Sequence, residues 1–264
     1  KNPKYTFIEG DLNKVNLKEL THGKEWIFHQ AAQAGVRASW GNYFSEYCSH
    51  NILATQKLLE VLKDTDVKKV VFASSSSVYG DAETYPTSED IKPNPVSPYG
   101  MTKLASEQLM VLYASQFGVP TVSLRYFTVF GPRQRPDMAF NRFISAGLQG
   151  KELTLYGDGE QSRDFTFISD IVDANIQSAQ YGNPGDVYNV GGGTQATVNQ
   201  VLAHIENRIG SLKIKREEKQ KGDARHTRAD SSNARKNIKF DPKVSLFDGL
   251  DQEIEWLQGV YNSR

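Results

Sequence analysis

One cysteine, Cys48, stands among 264 residues, so the chain can form no internal disulfide and no cysteine-based zinc site. It falls in a helical pattern at 42–63, where a packed thiol is expected rather than a nucleophile. An excess of either charge is also missing: 31 Lys and Arg face 31 Asp and Glu, for a net charge of +0 and a pI near 7.1. This balance gives no electrostatic reason to expect nucleic acid or an anionic membrane as partner. No apolar run approaches the roughly 18–20 residues of a membrane span. The opening KNPKYTFIEGDLNK is polar and lacks the apolar stretch of a secretion signal. The five histidines show no metal-ligand spacing, so no metal is expected. His29 ends an apolar run, where a structural hydrogen bond is expected. Neither an internal repeat nor a low-complexity segment is present. The dense charge run KIKREEKQKGDAR (213–225) interleaves acids with bases and reads as a solvated connection. What remains is a globular composition, 38% apolar and 23% charged, expected in the cytoplasm.

Three short apolar runs read as buried strands: Trp26–His29, Lys69–Ala73 and Thr121–Phe127. Between them, Ile52, Leu53, Leu58, Leu59 and Leu62 recur at helical spacing, as do Leu104, Leu109, Leu112 and Tyr113. Strands alternating with helices predict parallel βαβ units with helices on both faces of the sheet. The second half predicts helices at 139–149, 169–180, 197–209 and 246–260, with short strands near Thr154–Tyr156 and Val187–Val190.

Residues 97–103 read SPYGMTK. Ser97 is a good N-cap and Pro98 a good first helical residue, so a helix should begin here. Tyr99 and Lys103 then stand four apart on one face. A phenol is a poor base at neutral pH, and a nearby ammonium favours its ionised form. The pair is therefore a candidate proton-transfer device, although the same spacing arises by chance on many helices. The strand ending in FASSSSVYG (72–80) precedes it, and ligands of open α/β sheets bind at strand carboxyl ends. Serines there also cap and turn the backbone, so a run of four serves both purposes.

The motifs FASSSSVYG (72–80), SPYGMTK (97–103), LRYFTVFGPRQRPDMAF (124–140) and YGDGEQSRDFTFISD (156–170), in this order, resemble the extended short-chain dehydrogenases/reductases that epimerise or dehydrate nucleotide sugars. GDLN (10–13), FHQAAQ (28–33) and Asn51 fit earlier positions of that pattern. The resemblance implies a doubly wound, Rossmann-type parallel sheet with a smaller C-terminal α/β region for substrate. Residues 1–130 would form the cofactor domain, with 169–191 returning to it, and 131–264 mainly the substrate region. It also implies NAD as cofactor, a UDP-sugar as substrate, and a homodimer formed through helices 43–63 and 98–117. The family's opening Gly-x-x-Gly-x-x-Gly unit has no counterpart here, so the chain is expected to begin about 50 residues inside a family member. Without that unit it should bind dinucleotide poorly.

By the same resemblance, Ser75, Tyr99 and Lys103 are catalytic. Tyr99 is the base, Ser75 assists it, and Lys103 lowers its pKa while holding the nicotinamide ribose. Asp11, Leu12, Ala31, Ala32, Gln33, Asn51, Ser74 and Tyr126 fall along the cofactor. Ser76 and Ser77 stand where the related dehydratases carry an Asp-Glu pair, so elimination lacks its carboxylates and epimerisation at C4 is implied. Ser76, Ser77 and Thr128, with Arg135 nearby, form a set of donors able to bond a C6 carboxylate, which points to UDP-glucuronate. The same hydroxyls suit the neutral group of UDP-glucose or UDP-N-acetylglucosamine, the alternative substrates. Tyr156 is placed against the uracil, Arg163 on the diphosphate, and Asp223 on a ribose. Gln220 stands where the family often has a further diphosphate arginine. The reading from a different class is a non-catalytic dinucleotide sensor, which the presence of Ser75, Tyr99 and Lys103 disfavours.

Overall fold

Apolar runs flanked by turn residues make parallel strands buried on both faces. In the computed structural model, which describes residues 2–82, 84–218 and 225–263, these runs build a four-stranded sheet. Its strands are β1 (Trp26–His29), β2 (Lys69–Ser75), β3 (Thr121–Tyr126) and β7 (Asp186–Val190), in the order β1-β2-β3-β7. All pairs are parallel, with Phe72 opposite Ser123 and Ser75 opposite Tyr126. Helices cover both faces, as the sequence predicts. On one side lie α1 (Leu17–Thr21), α3 (Ala54–Leu62) and α4 (Pro98–Phe117). Leu58, Leu59, Leu62, Met110 and Tyr113 pack there against Val70 and Phe72. On the other lie α6 (Ile168–Tyr181) and α8 (Ser232–Ile238), which bury Ile171, Ala174 and Ile238 with Val71, Leu124 and Val190. Each such fully buried aliphatic side chain stabilises the fold by about 1.5–3 kcal/mol.

The second half forms its own core. A mixed sheet of β4 (Thr128–Phe130), β6 (Ser162–Phe167) and β8 (Thr194–Thr197) and a parallel pair of β5 (Glu152–Tyr156) and β9 (Lys213–Glu217) are joined by α5 (Ala139–Leu148), α7 (Val198–Ile209) and α9 (Leu246–Asn262). Phe130 packs edge-on against Phe140, Phe165 and Phe167, with ring centroids 5.4–6.1 Å away.

One expectation is refined and one is corrected. The helix expected over 42–63 runs unbroken from Phe44 to Leu62 but changes its winding. A short α2 (Phe44–Tyr47) runs into a π-helical turn over Cys48–Leu53 before α3. And the start of the charged run at 213–225 is not a loop but β9, paired in register with β5 from Glu152↔Lys213 to Tyr156↔Glu217. Its side chains are exposed except for partly buried Ile214, so a solvated charge pattern and an edge strand coincide.

Candidate active site

Helix α4 begins where the sequence predicts. Ser97 accepts the Gly100 backbone N–H at 3.1 Å, and Pro98 occupies the first turn. This helix start is pressed onto the end of β2. A Cβ at Gly100 would lie 2.5 Å from the Ser77 carbonyl oxygen, so only glycine allows the approach. Tyr99 is thereby brought toward Ser75, whose hydroxyl favours the ionised phenol. Ser75 also caps the following turn, accepting the Ser77 N–H at 3.1 Å. Burial pushes the Tyr99 pKa up; the Ser75 hydrogen bond and the Arg135 charge pull it down, and neighbouring Tyr47 pushes it up.

Lys103 lies one turn further into α4, fully buried, and donates to the Ala73 carbonyl at 2.8 Å. Burial lowers its pKa to about 8. The charge bearing on the Tyr99 phenol is that of Arg135, while the Lys103 ammonium turns toward the strand and sits 5.0 Å over the Phe72 ring.

Asn51, Ser74 and Tyr126 direct their polar atoms inward. The Asn51 amide accepts from the Gln33 N–H at 2.7 Å and donates to the Gln33 carbonyl and the Thr102 hydroxyl. It sits in the π-helical turn, and its carbonyl accepts the hydroxyls of Thr55 and Ser106 at 2.6 and 2.9 Å. Because Thr55 donates there, it must accept from His29, whose Nε2 lies 2.9 Å away. His29 is a structural residue, its pKa pushed down to about 4 by burial and by the Lys103 charge. Ser74 donates to Glu107 at 2.6 Å, and Glu107 forks onto Arg125 at 2.6 and 3.0 Å. Tyr126 donates to Asn175 at 2.9 Å, and burial pushes its pKa up to about 12. Leu12 packs against the α3–α4 core. The Asp11 carboxylate accepts the Asn13 N–H at 2.9 Å, which with Lys14 and His50 holds it below its usual range. Ala31 and Gln33 are exposed at the mouth of the loop after β1, with Ala32 half-buried between them.

A cavity of about 520 Å³ opens between this edge and the second core. Thr128, Tyr156 and Arg163 line it together. Arg163 donates to the carbonyls of Ser162 and Arg225 at 2.9 and 3.1 Å. Its sequence neighbour Asp164 is buried and accepts the N–H groups of Ala229 and Gly193 instead, so the two make no surface pair. Ser76 and Ser77 stay half-buried at the end of β2 and do not line the cavity. Arg135 does not line it either, but its partner Asp137 does. Asp223 and Gln220 lie outside the described residues.

Three charged residues of the cavity escaped the sequence reading. Arg37, from the loop after β1, lies 4.7 Å over the Tyr156 ring. Asp137 and Arg142 flank the start of α5. The signal for Arg37 was present, since it follows the carboxyl end of a parallel strand, where ligands gather. Among the described residues, no group of three or more His, Cys, Asp or Glu could hold a metal ion, and no helix is long and apolar enough to cross a membrane.

Comparison with known proteins agrees with this geometry. Residues 1–191 match the NAD dependent epimerase/dehydratase family. A protein of Bacillus subtilis strain 168 named as an uncharacterized UDP-glucose epimerase is 46% identical, over 98% of this chain and 82% of its own length. A UDP-glucuronate 4-epimerase of Thermodesulfobacterium geofontis is 39% identical, over 97% of this chain and 80% of its own. The crystal structure of the UDP-glucuronic acid 4-epimerase of Bacillus cereus, in complex with UDP-glucuronic acid and NAD, superposes with a TM-score of 0.95 at 41% identity, covering 98% of this chain and 83% of that one.

Proposed function

The chain belongs to the NAD-dependent epimerase/dehydratase family, and from that membership we propose that it is a UDP-glucuronate 4-epimerase acting through Ser75, Tyr99 and Lys103. It is an enzyme of the NAD-dependent UDP-sugar 4-epimerase type. The uronate is the finer assignment, and one observation carries it. The Arg135 guanidinium acts on the charge of Tyr99 and is held, nitrogen by nitrogen, by a carboxylate, that of Asp137. A guanidinium that already takes the carboxylate of a cavity-lining residue in fork geometry is suited to a sugar carrying one at C6. Thr128 lines the cavity and would complete that pocket, and Ser76 and Ser77 are proposed to reach it from the turn after β2.

The donor set at the sheet edge fits the nicotinamide-ribose end of NAD. Lys103 has spent one of its three donors on Ala73, leaving two for ribose hydroxyls, and the loop Ala31–Gly35 is built largely of small residues. Asn51, Ser74 and Tyr126 would shape this edge rather than bond the cofactor through their side chains, and Asp11 and Leu12 would face the adenine. The hydride acceptor and donor at C4 is supplied by NAD when bound. Tyr99, as phenolate, takes the proton of the sugar 4-hydroxyl, while Ser75 hydrogen-bonds the same oxygen. The 4-keto sugar turns over within the cavity, and Tyr99 returns the proton to the oxygen of opposite configuration. Arg163 would hold the diphosphate and Tyr156, stacked under Arg37, the uracil, with Asp223 on a ribose.

We assign residues 1–130, with 169–191, to the cofactor half and the remainder of 131–264 mainly to substrate. The exposed Leu53, Met101, Leu112 and Phe117, on the π turn and α4, support a homodimer formed through these helices. The cytoplasm is the compartment proposed. Of the second readings, UDP-glucose or UDP-N-acetylglucosamine, the name of the 46%-identical relative favours UDP-glucose. Comparing kcat/KM of the holoenzyme for UDP-glucuronate and UDP-glucose decides between them. Faster turnover of the neutral sugar would overturn the uronate assignment and leave the Ser75–Tyr99–Lys103 chemistry standing.

A further inference from the structure

Arg135 and Asp137 are two residues apart on the segment between β4 and α5. The Arg135 Nε meets one Asp137 carboxylate oxygen at 3.0 Å and its terminal nitrogen meets the other at 2.9 Å. A bidentate fork of this kind occupies a whole edge of the guanidinium. Asp137 is ionised at neutral pH, because the Arg135 hydrogen bonds, and more weakly the Arg142 charge, hold its carboxyl below the usual range. Asp137 and Arg142 line the substrate cavity together with Thr128.

We propose that Asp137 is a resident carboxylate that occupies the uronate seat on Arg135 and thereby sets the discrimination between charged and neutral sugars, an inference that rests on the uronate reading above. Asp137 lines the cavity and Arg135 does not, so a uronate coming from the cavity meets the Asp137 carboxylate before the guanidinium, whereas a neutral sugar leaves the pair closed. The displaced carboxylate has a place to go. Arg142, one turn into α5, faces the same cavity and already acts on Asp137 through its charge. Uronate binding is then an exchange of partners: Arg135 passes from Asp137 to the substrate, and Asp137 passes to Arg142. Each charge remains paired, so no guanidinium or carboxylate is stranded in the closed site. The exchange is cheap because the pair is wet, with side-chain exposure of 48% for Arg135 and 65% for Asp137.

The test is steady-state kinetics of the holoenzyme with UDP-glucuronate and UDP-glucose. Asp137→Asn should lower KM for UDP-glucuronate about two- to five-fold, the range set by an exposed ion pair. It should move KM for UDP-glucose by less than it moves KM for UDP-glucuronate. Asp137→Glu, which keeps the charge, should stay near the wild type. Arg142→Gln should raise KM for UDP-glucuronate alone, and it tests the exchange even where Asp137→Asn fails to fold. A KM that rises in Asp137→Asn, or moves equally for both sugars, overturns the proposal. Arg135→Gln separates the two layers. If it raises KM for the uronate selectively while Asp137→Asn changes nothing, only the resident-carboxylate inference fails. If it leaves the uronate preference intact, the carboxylate seat itself is wrong, and this inference falls with it.

Discussion

The Lys103 ammonium donates to the carbonyl oxygen of Ala73 at 2.8 Å, which ties α4 to β2 two residues before Ser75. The helix and the strand end that carry the proposed catalytic residues are thus joined by a buried charge. Burial disfavours that charge and brings the Lys103 pKa down from 10.5 to about 8. Between those two values the unfolded chain holds more protons, so this term costs stability below pH 8 and is relieved as pH rises toward 10.5. Lys103→Met should therefore raise Tm at pH 7, by a gain on the order of 1–3 kcal/mol that shrinks above pH 9, while kcat falls by ~10²-fold or more. Scanning calorimetry across pH checks the first part. A lower Tm for the variant at pH 7 would contradict it.

Burial pushes the Tyr99 pKa up, with a smaller push from Tyr47, and the Ser75 hydroxyl and the Arg135 charge oppose it by favouring the ionised phenol. Activity needs the phenolate and should rise with pH through the Tyr99 pKa. Removing the Ser75 hydroxyl raises that pKa, so Ser75→Ala should move the limb to higher pH as well as lower the rate by about ten-fold or more. Tyr99→Phe should abolish the limb. An unshifted limb in Ser75→Ala would mean that the hydrogen bond does not serve the base.

Glu253, buried on α9, accepts the Gly131 N–H at 2.8 Å, and its other oxygen has no partner. Burial pushes its pKa from 4.5 to about 8. The folded state then keeps a proton that the unfolded chain releases, so this stabilisation is full below pH 4.5 and is lost as pH rises through 8. Glu253→Gln stays neutral throughout. Its Tm should fall less than the wild type's between pH 5 and 8.5, and equal slopes would show that Glu253 does not titrate there.

Glu107 forks onto Arg125 with both residues buried, and the network continues through the Tyr79 hydroxyl, 2.6 Å from Arg125, to Asn189 at 2.8 Å. Removing one charge strands the other. Glu107→Gln should cost about 3–5 kcal/mol in chemical denaturation, far more than Asp137→Asn at the exposed pair. Similar losses for the two would contradict the difference in burial.

Much of the candidate site was legible in the chain. Ser97-Pro98 fixes the start of α4, helical spacing then places Tyr99 below Lys103, and apolar runs mark β1, β2 and β3. These are local signals. Partners distant in sequence left no such mark. Arg125 meets Glu107 and Arg37 meets Tyr156 only because the sheet order and the second core bring them together. The π turn at Asn51 was hidden because its hydrophobic spacing still reads as an α-helix, although its widened turn is what frees the Asn51 carbonyl for Thr55 and Ser106. Strand β9 was hidden by its charge, since an exposed strand paired along one edge buries almost nothing.

Proton NMR of the holoenzyme incubated with UDP-glucuronate, with no NAD added, tests the central claim most directly. The account predicts growth of UDP-galacturonate signals to a fixed ratio, with the cofactor retained through each cycle. An unchanged spectrum from an enzyme that converts UDP-glucose under the same conditions would contradict it.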